Sequence, residues 1–106
     1  MNRIQTISIY QSGQQAASLY QEAQRHLQQG NHHQARSLFQ ESIKLQPDFA
    51  LSYQGLGEMW RSQGNLSSSL RCYLKALELQ PDLISPDFLL DLGSEFAKNN
   101  QIDEAI

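Results

Sequence analysis

Two kinds of helix breaker recur along this chain at the same interval. Gly30 and Gly64 stand 34 residues apart, and so do Pro47 and Pro81. Glycine closes a helix by entering left-handed backbone, whereas proline stops one by removing a donor and crowding the preceding turn. Two devices with different physics sharing one period mark a structural unit that is used more than once. Between the breakers the apolar residues fall at helical spacing: Ala16, Leu19, Tyr20, Ala23 and Leu27 lead up to Gly30, and Ala35, Leu38, Phe39 and Ile43 lead up to Pro47. Leu51 to Gln63 and Leu66 to Leu79 repeat the cycle. The spacing predicts helices near 13–29, 32–46, 49–63, 66–79 and 86–98, with a short sixth beginning after Gln101.

Local signals refine the boundaries. Ser12 followed by Gln15 has the spacing of a capping box, which starts the first helix near Gly13. Asn31, Asp48 and Asn65 are expected to cap the helices that follow them. Ser85, Pro86 and Asp87 supply a cap, a proline at the first helical position and an acid in the first turn. Pro47 precedes Gly57 by ten residues but Pro81 precedes Gly93 by twelve, so the third unit follows a small insertion. Asn100 stands where a closing residue is expected. Residues 1–11 alternate loosely between apolar and polar, and are expected to form a partly ordered leader ahead of one domain over 12–106, with repeats at about 16–49, 50–85 and 86–106, the last cut short.

Composition narrows the class of work. With 40% apolar and 18% charged residues, the 106-residue chain is expected to fold around a modest core. The net charge of −3 is uneven. Residues 81–106 hold six of the acids and one base, and no dense Lys/Arg stripe exists to neutralise phosphates, which argues against nucleic acid. The single Cys72 forms no internal disulfide, and no apolar run approaches a signal-peptide core or a membrane span. A cytoplasmic protein with no membrane association is the resulting expectation.

The middle unit carries Tyr53, Leu56, Gly57, Trp60, Ser69, Tyr73 and Pro81 in an order that resembles the tetratricopeptide repeat family, whose pattern is W-x2-L-G-x2-Y, A-x3-F and P. Ser69 for alanine is the one loss of type. The first unit offers Leu19, Glu22, Ala23, His26, Ala35, Phe39 and Pro47; its second helix fits the pattern well and its first helix poorly. The third offers Leu89, Leu92, Gly93, Phe96 and Ala105. The resemblance covers residues 16–106 and implies an all-α, right-handed solenoid of antiparallel helix pairs. Small residues at Ala23, Gly57 and Gly93 are expected to let helices approach closely, with Phe39 and Tyr73 filling the grooves between them.

In that family the inner helices line a concave groove. Projecting the helical period places Ala17, Tyr20, Gln24 and Leu27 of the first unit there, with Leu51, Gln54, Glu58 and Arg61 of the second and Asp87, Leu90 and Ser94 of the third. The partner this implies is a protein or peptide, extended or helical. A clamp for acidic chaperone tails would fall on Tyr20, Gln24, Gly55, Asp87 and Asp91. None of the five matches, so that mode is not expected.

No residue set suggests catalysis, a cofactor or a metal. His32 and His33 point about 100° apart on a helix and cannot easily share an ion, while His26 occupies a core slot. Gly55 and Gly57 lie within a helix, not in a phosphate-binding loop. The leading expectation is a protein-interaction module within a longer, bacterial-like polypeptide. Its rivals are a self-assembly module associating through helix 86–98, whose apolar residues cover more than one stripe, and the targeting arm of a transferase whose catalytic domain lies elsewhere.

Overall fold

The computed structural model describes the backbone of residues 3–105 and the side chains of residues 11–99. Over these residues the chain forms five α-helices and no strand: α1 (Arg3–Gln28), α2 (His32–Leu45), α3 (Ala50–Ser62), α4 (Leu66–Leu79) and α5 (Pro86–Ala105). Helix α1 packs along α2 and α3 along α4, while α3 also lies against α1 and α2. The result is an all-α solenoid, elongated to 60 × 28 × 20 Å. Among the described residues no helix is long and apolar enough to cross a membrane.

The two breakers do what their chemistry requires. Gly30 and Gly64 both take φ of +80°, open to glycine at little cost. Each closes its helix with the same pair of bonds. Gly30 N–H donates to Leu27 O (3.1 Å) and Asn31 N–H to His26 O (2.9 Å); Gly64 donates to Arg61 O (3.0 Å) and Asn65 to Trp60 O (2.9 Å). The prolines follow a second shared turn, in which Gln46 N–H donates to Ser42 O and Gln80 N–H to Ala76 O. That turn lets α2 end at Leu45 and α4 at Leu79 before a proline would interfere.

Several local expectations are corrected. Helix α1 begins at Arg3, not near Gly13, and Ser12 and Gln15 sit inside the helix rather than capping it. Ile4 and Ile7 fit a helical period as well as a strand, and one internal glycine costs only about 1 kcal/mol. At the other end α5 runs unbroken through Asn100 to Ala105, so the sixth helix is absent among the described residues. No non-glycine residue there takes positive φ. Asparagine enters that conformation less readily than glycine, and continuing the helix costs less. Asn65 caps α4, accepting from Ser68 N–H at 3.1 Å, and Ser85 accepts from Phe88 N–H at 3.2 Å. Asn31 makes no such bond and reaches back to His26 Nδ1 instead, while Phe49, not Asp48, holds the cap position of α3.

Two apolar clusters form the core. Phe39 is fully buried with Ala23, Ala35, Leu38, Leu56 and Met59; Tyr73 is buried with Ala76, Ile84 and Leu92. Glycine admits the rings. A Cβ at Gly55 would collide with the Phe39 ring, and one at Gly57 would lie 2.9 Å from Tyr73. Gly93, expected to mark a third close approach, has open space where its Cβ would be, because among the described residues none packs against it. Leu92 is fully buried, and Phe88, Leu89 and Phe96 half-buried, so the apolar surface of α5 is smaller than its composition suggests; Leu90 is the large exception.

Among the described residues three serines are fully buried, and each is satisfied. Ser69 Oγ donates to Gly57 O at 2.7 Å, so the hydroxyl is accommodated where the family pattern has alanine. Ser42 Oγ donates to Ala16 O at 2.8 Å and lies 2.7 Å from Ser52 Oγ. Because Ser42 spends its only proton on Ala16, Ser52 is the donor of the second bond. The pair ties α1, α2 and α3 together at one point.

Candidate functional site

The two proline turns start alike and end differently. Phe49 N–H donates to Gln46 O and Leu83 N–H to Gln80 O, the same closure in both. Helix α3 starts directly after Phe49, but α5 waits until Pro86. The extra residues turn Ile84 inward, where it is buried at 7% exposure. Among the described residues no Cα of α5 comes within 8 Å of α3, whereas α1 and α3 do approach that closely. A cleft of about 280 Å³ is left between them, lined by Gln54, Glu58 and Arg61 of α3, Tyr73 of α4, Leu83, Ile84 and Ser85 of the connection, and Phe88 of α5.

Arg61 spans the cleft. Its Nε lies 3.3 Å from Glu95 Oε2, and its guanidinium carbon 5.2 Å from the centre of the Phe88 ring. Phe88 meets Tyr73 edge-on, with ring centres 5.0 Å apart. Burial pushes the Tyr73 phenol up to about 12, with the Glu58 charge adding to the rise and Arg61 opposing it. Glu58 is exposed and has no ion-pair partner among the described residues.

The first repeat arranges the corresponding space differently. Tyr20, Gln24, Phe39 and Phe49 each stand 34 residues before Gln54, Glu58, Tyr73 and Leu83. The Tyr20 ring sits edge-on to Phe49 at 5.7 Å and tilted against Phe39 at 6.1 Å. Gln24 Nε2 donates to the Tyr20 hydroxyl at 2.9 Å.

Of the residues projected onto a groove, the cleft brings together Gln54, Glu58 and Arg61. Tyr20 and Leu27 pack against the first core cluster; Ala17 and Gln24 are half-buried on the same helix. Leu51 is half-buried outside the cleft, and Asp87, Leu90 and Ser94 are exposed and do not line it. Sequence reasoning missed Tyr73 and Phe88 as cleft walls, treating them as core and as exposed apolar surface. It also missed Leu83, Ile84 and Ser85. The available signal was the two-residue insertion, whose length was visible and whose effect on α5 was not.

Elsewhere the polar chemistry is structural. His32 Nε2 lies 3.1 Å from Ser62 Oγ, tying the start of α2 to the end of α3, and Arg36 stacks over Trp60 at 5.4 Å. Burial raises the Cys72 thiol above its ordinary range, with Arg71 partly opposing. No three His, Cys, Asp or Glu side chains among the described residues are grouped to hold a metal ion.

Comparison with known proteins agrees with this architecture. Residues 20–84 match the model of the tetratricopeptide repeat family. A mouse (Mus musculus) protein, Superkiller complex protein 3, is 35% identical over 57 residues; the match covers 54% of this chain and 4% of that protein's length. A tetratricopeptide repeat domain protein from Salinibacter ruber superposes with a TM-score of 0.59 at 23% identity, covering 82% of this chain and 98% of the other, a likeness of fold. Repeats of this kind generally mediate contacts between proteins and are typically non-catalytic. The family model spans well over half of the sequence, and the chain belongs to the tetratricopeptide repeat family.

Proposed function

We propose that this chain binds a segment of a partner protein along the face presented by α1, α3 and α5, with the cleft between α3 and α5 as the anchor point. One observation carries the reading: α5 stands off from α3, and the gap is lined by three polar side chains of α3 and two aromatic rings. Aromatic and arginine side chains in a concave setting are the usual carriers of interface energy. The test is selection of binders from a displayed library of random dodecapeptides, followed by titration against variants. Gln54→Ala and Arg61→Ala are expected to weaken the selected peptides about tenfold or more, while His33→Ala and Arg71→Ala on α2 and α4 leave them unchanged. Equal losses from both sets would refute the assignment of the face.

A second reading, self-association through α5, draws on Leu90, which is 70% exposed on that helix. Light scattering at high micromolar concentration separates the two: Leu90→Gln should abolish any dimer, and a strictly monomeric parent removes the reading.

A further inference from the structure

The first repeat contains what the second lacks. Tyr20 places a ring against Phe39 and Phe49, and Gln24 holds its hydroxyl. One repeat later the walls persist as Tyr73 and Leu83, but Gln54 stands where Tyr20 stood and Glu58 where Gln24 stood. Neither Gln54 nor Glu58 supplies a ring, and a cleft lies beside them, walled on its far side by the Phe88 ring edge-on to Tyr73. At about 280 Å³ it falls just below the roughly 300–1,000 Å³ of pockets that enclose a drug-sized ligand, which suits a single large side chain.

We infer that this cleft receives a tyrosine side chain from the partner segment, entering the position that Tyr20 fills in the first repeat. This rests on the proposed peptide-binding reading and goes beyond it by naming the anchor. The chemistry favours tyrosine over phenylalanine. A ring entering the cleft packs against the edges and faces of Tyr73 and Phe88, as Tyr20 does against Phe39 and Phe49. Gln24 donates to the Tyr20 hydroxyl, whereas Glu58 can only accept while it is ionised, so the incoming group must donate. A phenol does, and a hydrogen bond to an unpaired carboxylate is of the stronger, charge-assisted kind. Arg61 is already engaged by Glu95 and Phe88, which leaves Glu58 as the uncommitted charge in the cleft.

The probe is N-acetyl-tyrosinamide, with N-acetyl-phenylalaninamide as its partner lacking the hydroxyl, titrated at millimolar concentration into isotopically labelled protein. Tyrosinamide is expected to shift the amide resonances of Gln54, Glu58, Ser85 and Phe88, and to bind at least threefold more tightly than phenylalaninamide. Glu58→Ala should erase that preference while leaving weak binding of both. Gln54→Tyr restores to the second repeat the ring that the first one has. It should occupy the cleft from within, leave the melting temperature unchanged or raised, and abolish the shifts. Equal affinity for the two amides, or shifts that survive Gln54→Tyr, would overturn the inference. Should library peptides depend on Gln54 and Arg61 while tyrosinamide shifts nothing, the anchor is wrong and the binding face stands. Should those peptides ignore both residues, the face itself is wrong.

Discussion

The junction that joins α3 to the first helix pair and the junction that joins α5 to the second are built from the same turn and reach opposite outcomes. At the first, Gly55 lets the Phe39 ring lie directly on the α3 backbone, and the Ser42–Ser52 pair fastens three helices. At the second, aligned through the repeat pattern, Ala76 stands for Ser42, Phe88 for Ser52 and Asp91 for Gly55. A small hydrogen-bonded pair has become a large ring beside an alanine, and the place of the backbone contact is taken by a side chain that avoids burial. The lesson is that repeats with one architecture diverge through a few positions at their seams: tight packing at one seam fastens three helices, and looser packing at the next leaves an open cleft.

The largest test of that contrast is at Gly55. Gly55→Leu forces a side chain into the Phe39 ring and should cost about 3 kcal/mol or more by chemical denaturation. Gly57→Leu should cost less, since Tyr73 has the cleft to move into. A smaller loss at Gly55 than at Gly57 would reverse the ranking of the seams. Next comes pH. The Tyr73 phenol is held near 12 in the folded chain against about 10 when unfolded, so between those values the unfolded state carries fewer protons. Stability should therefore be intact below pH 10 and fall by about 2–3 kcal/mol as pH rises toward 12, and Tyr73→Phe should flatten that part of the profile. The serine pair follows in size. Ser42→Ala strands the Ser52 hydroxyl in the core and should cost about 1–3 kcal/mol, with the Ser42→Ala/Ser52→Ala double variant costing less than the two single changes together. The smallest effect has the opposite sign. Gly93→Ala meets nothing and should raise stability by about 0.5–1 kcal/mol, whereas destabilisation would mean that a neighbour does pack there.

Much of this fold was legible because its signals are local. Gly30, Gly64, Pro47 and Pro81 act through backbone conformation alone, so their spacing foretold where α2 to α4 begin and end. What was not legible depends on neighbours. Gly57 and Gly93 have the same surroundings in the pattern, and only the arrival of the Tyr73 ring beside one of them separates the two. Ser42 and Ser52 look like solvent-facing polar positions until three helices meet over them. Ile4 to Ile9 satisfy two periodicities at once. The cleft lay in between: Gln54, Glu58 and Arg61 follow from helical projection, while Tyr73 and Phe88 become its walls only because the insertion carries α5 outward.

The seam between α4 and α5 also has a mechanical consequence. Among the described residues Arg61 links α3 to α5 through the half-exposed Glu95 pair and the Phe88 ring, spanning a gap, whereas Ser42 locks α1, α2 and α3 with short bonds in a dry setting. Screened ion pairs resist little, and their strength falls as salt rises. Held in an optical trap by its two ends, the molecule should therefore yield in two steps. Helix α5, held also by the packing of Leu92 and Phe88 on Tyr73, would peel away first, at a force that drops only slightly with ionic strength, and the first three helices would rupture later at a force that salt leaves unchanged.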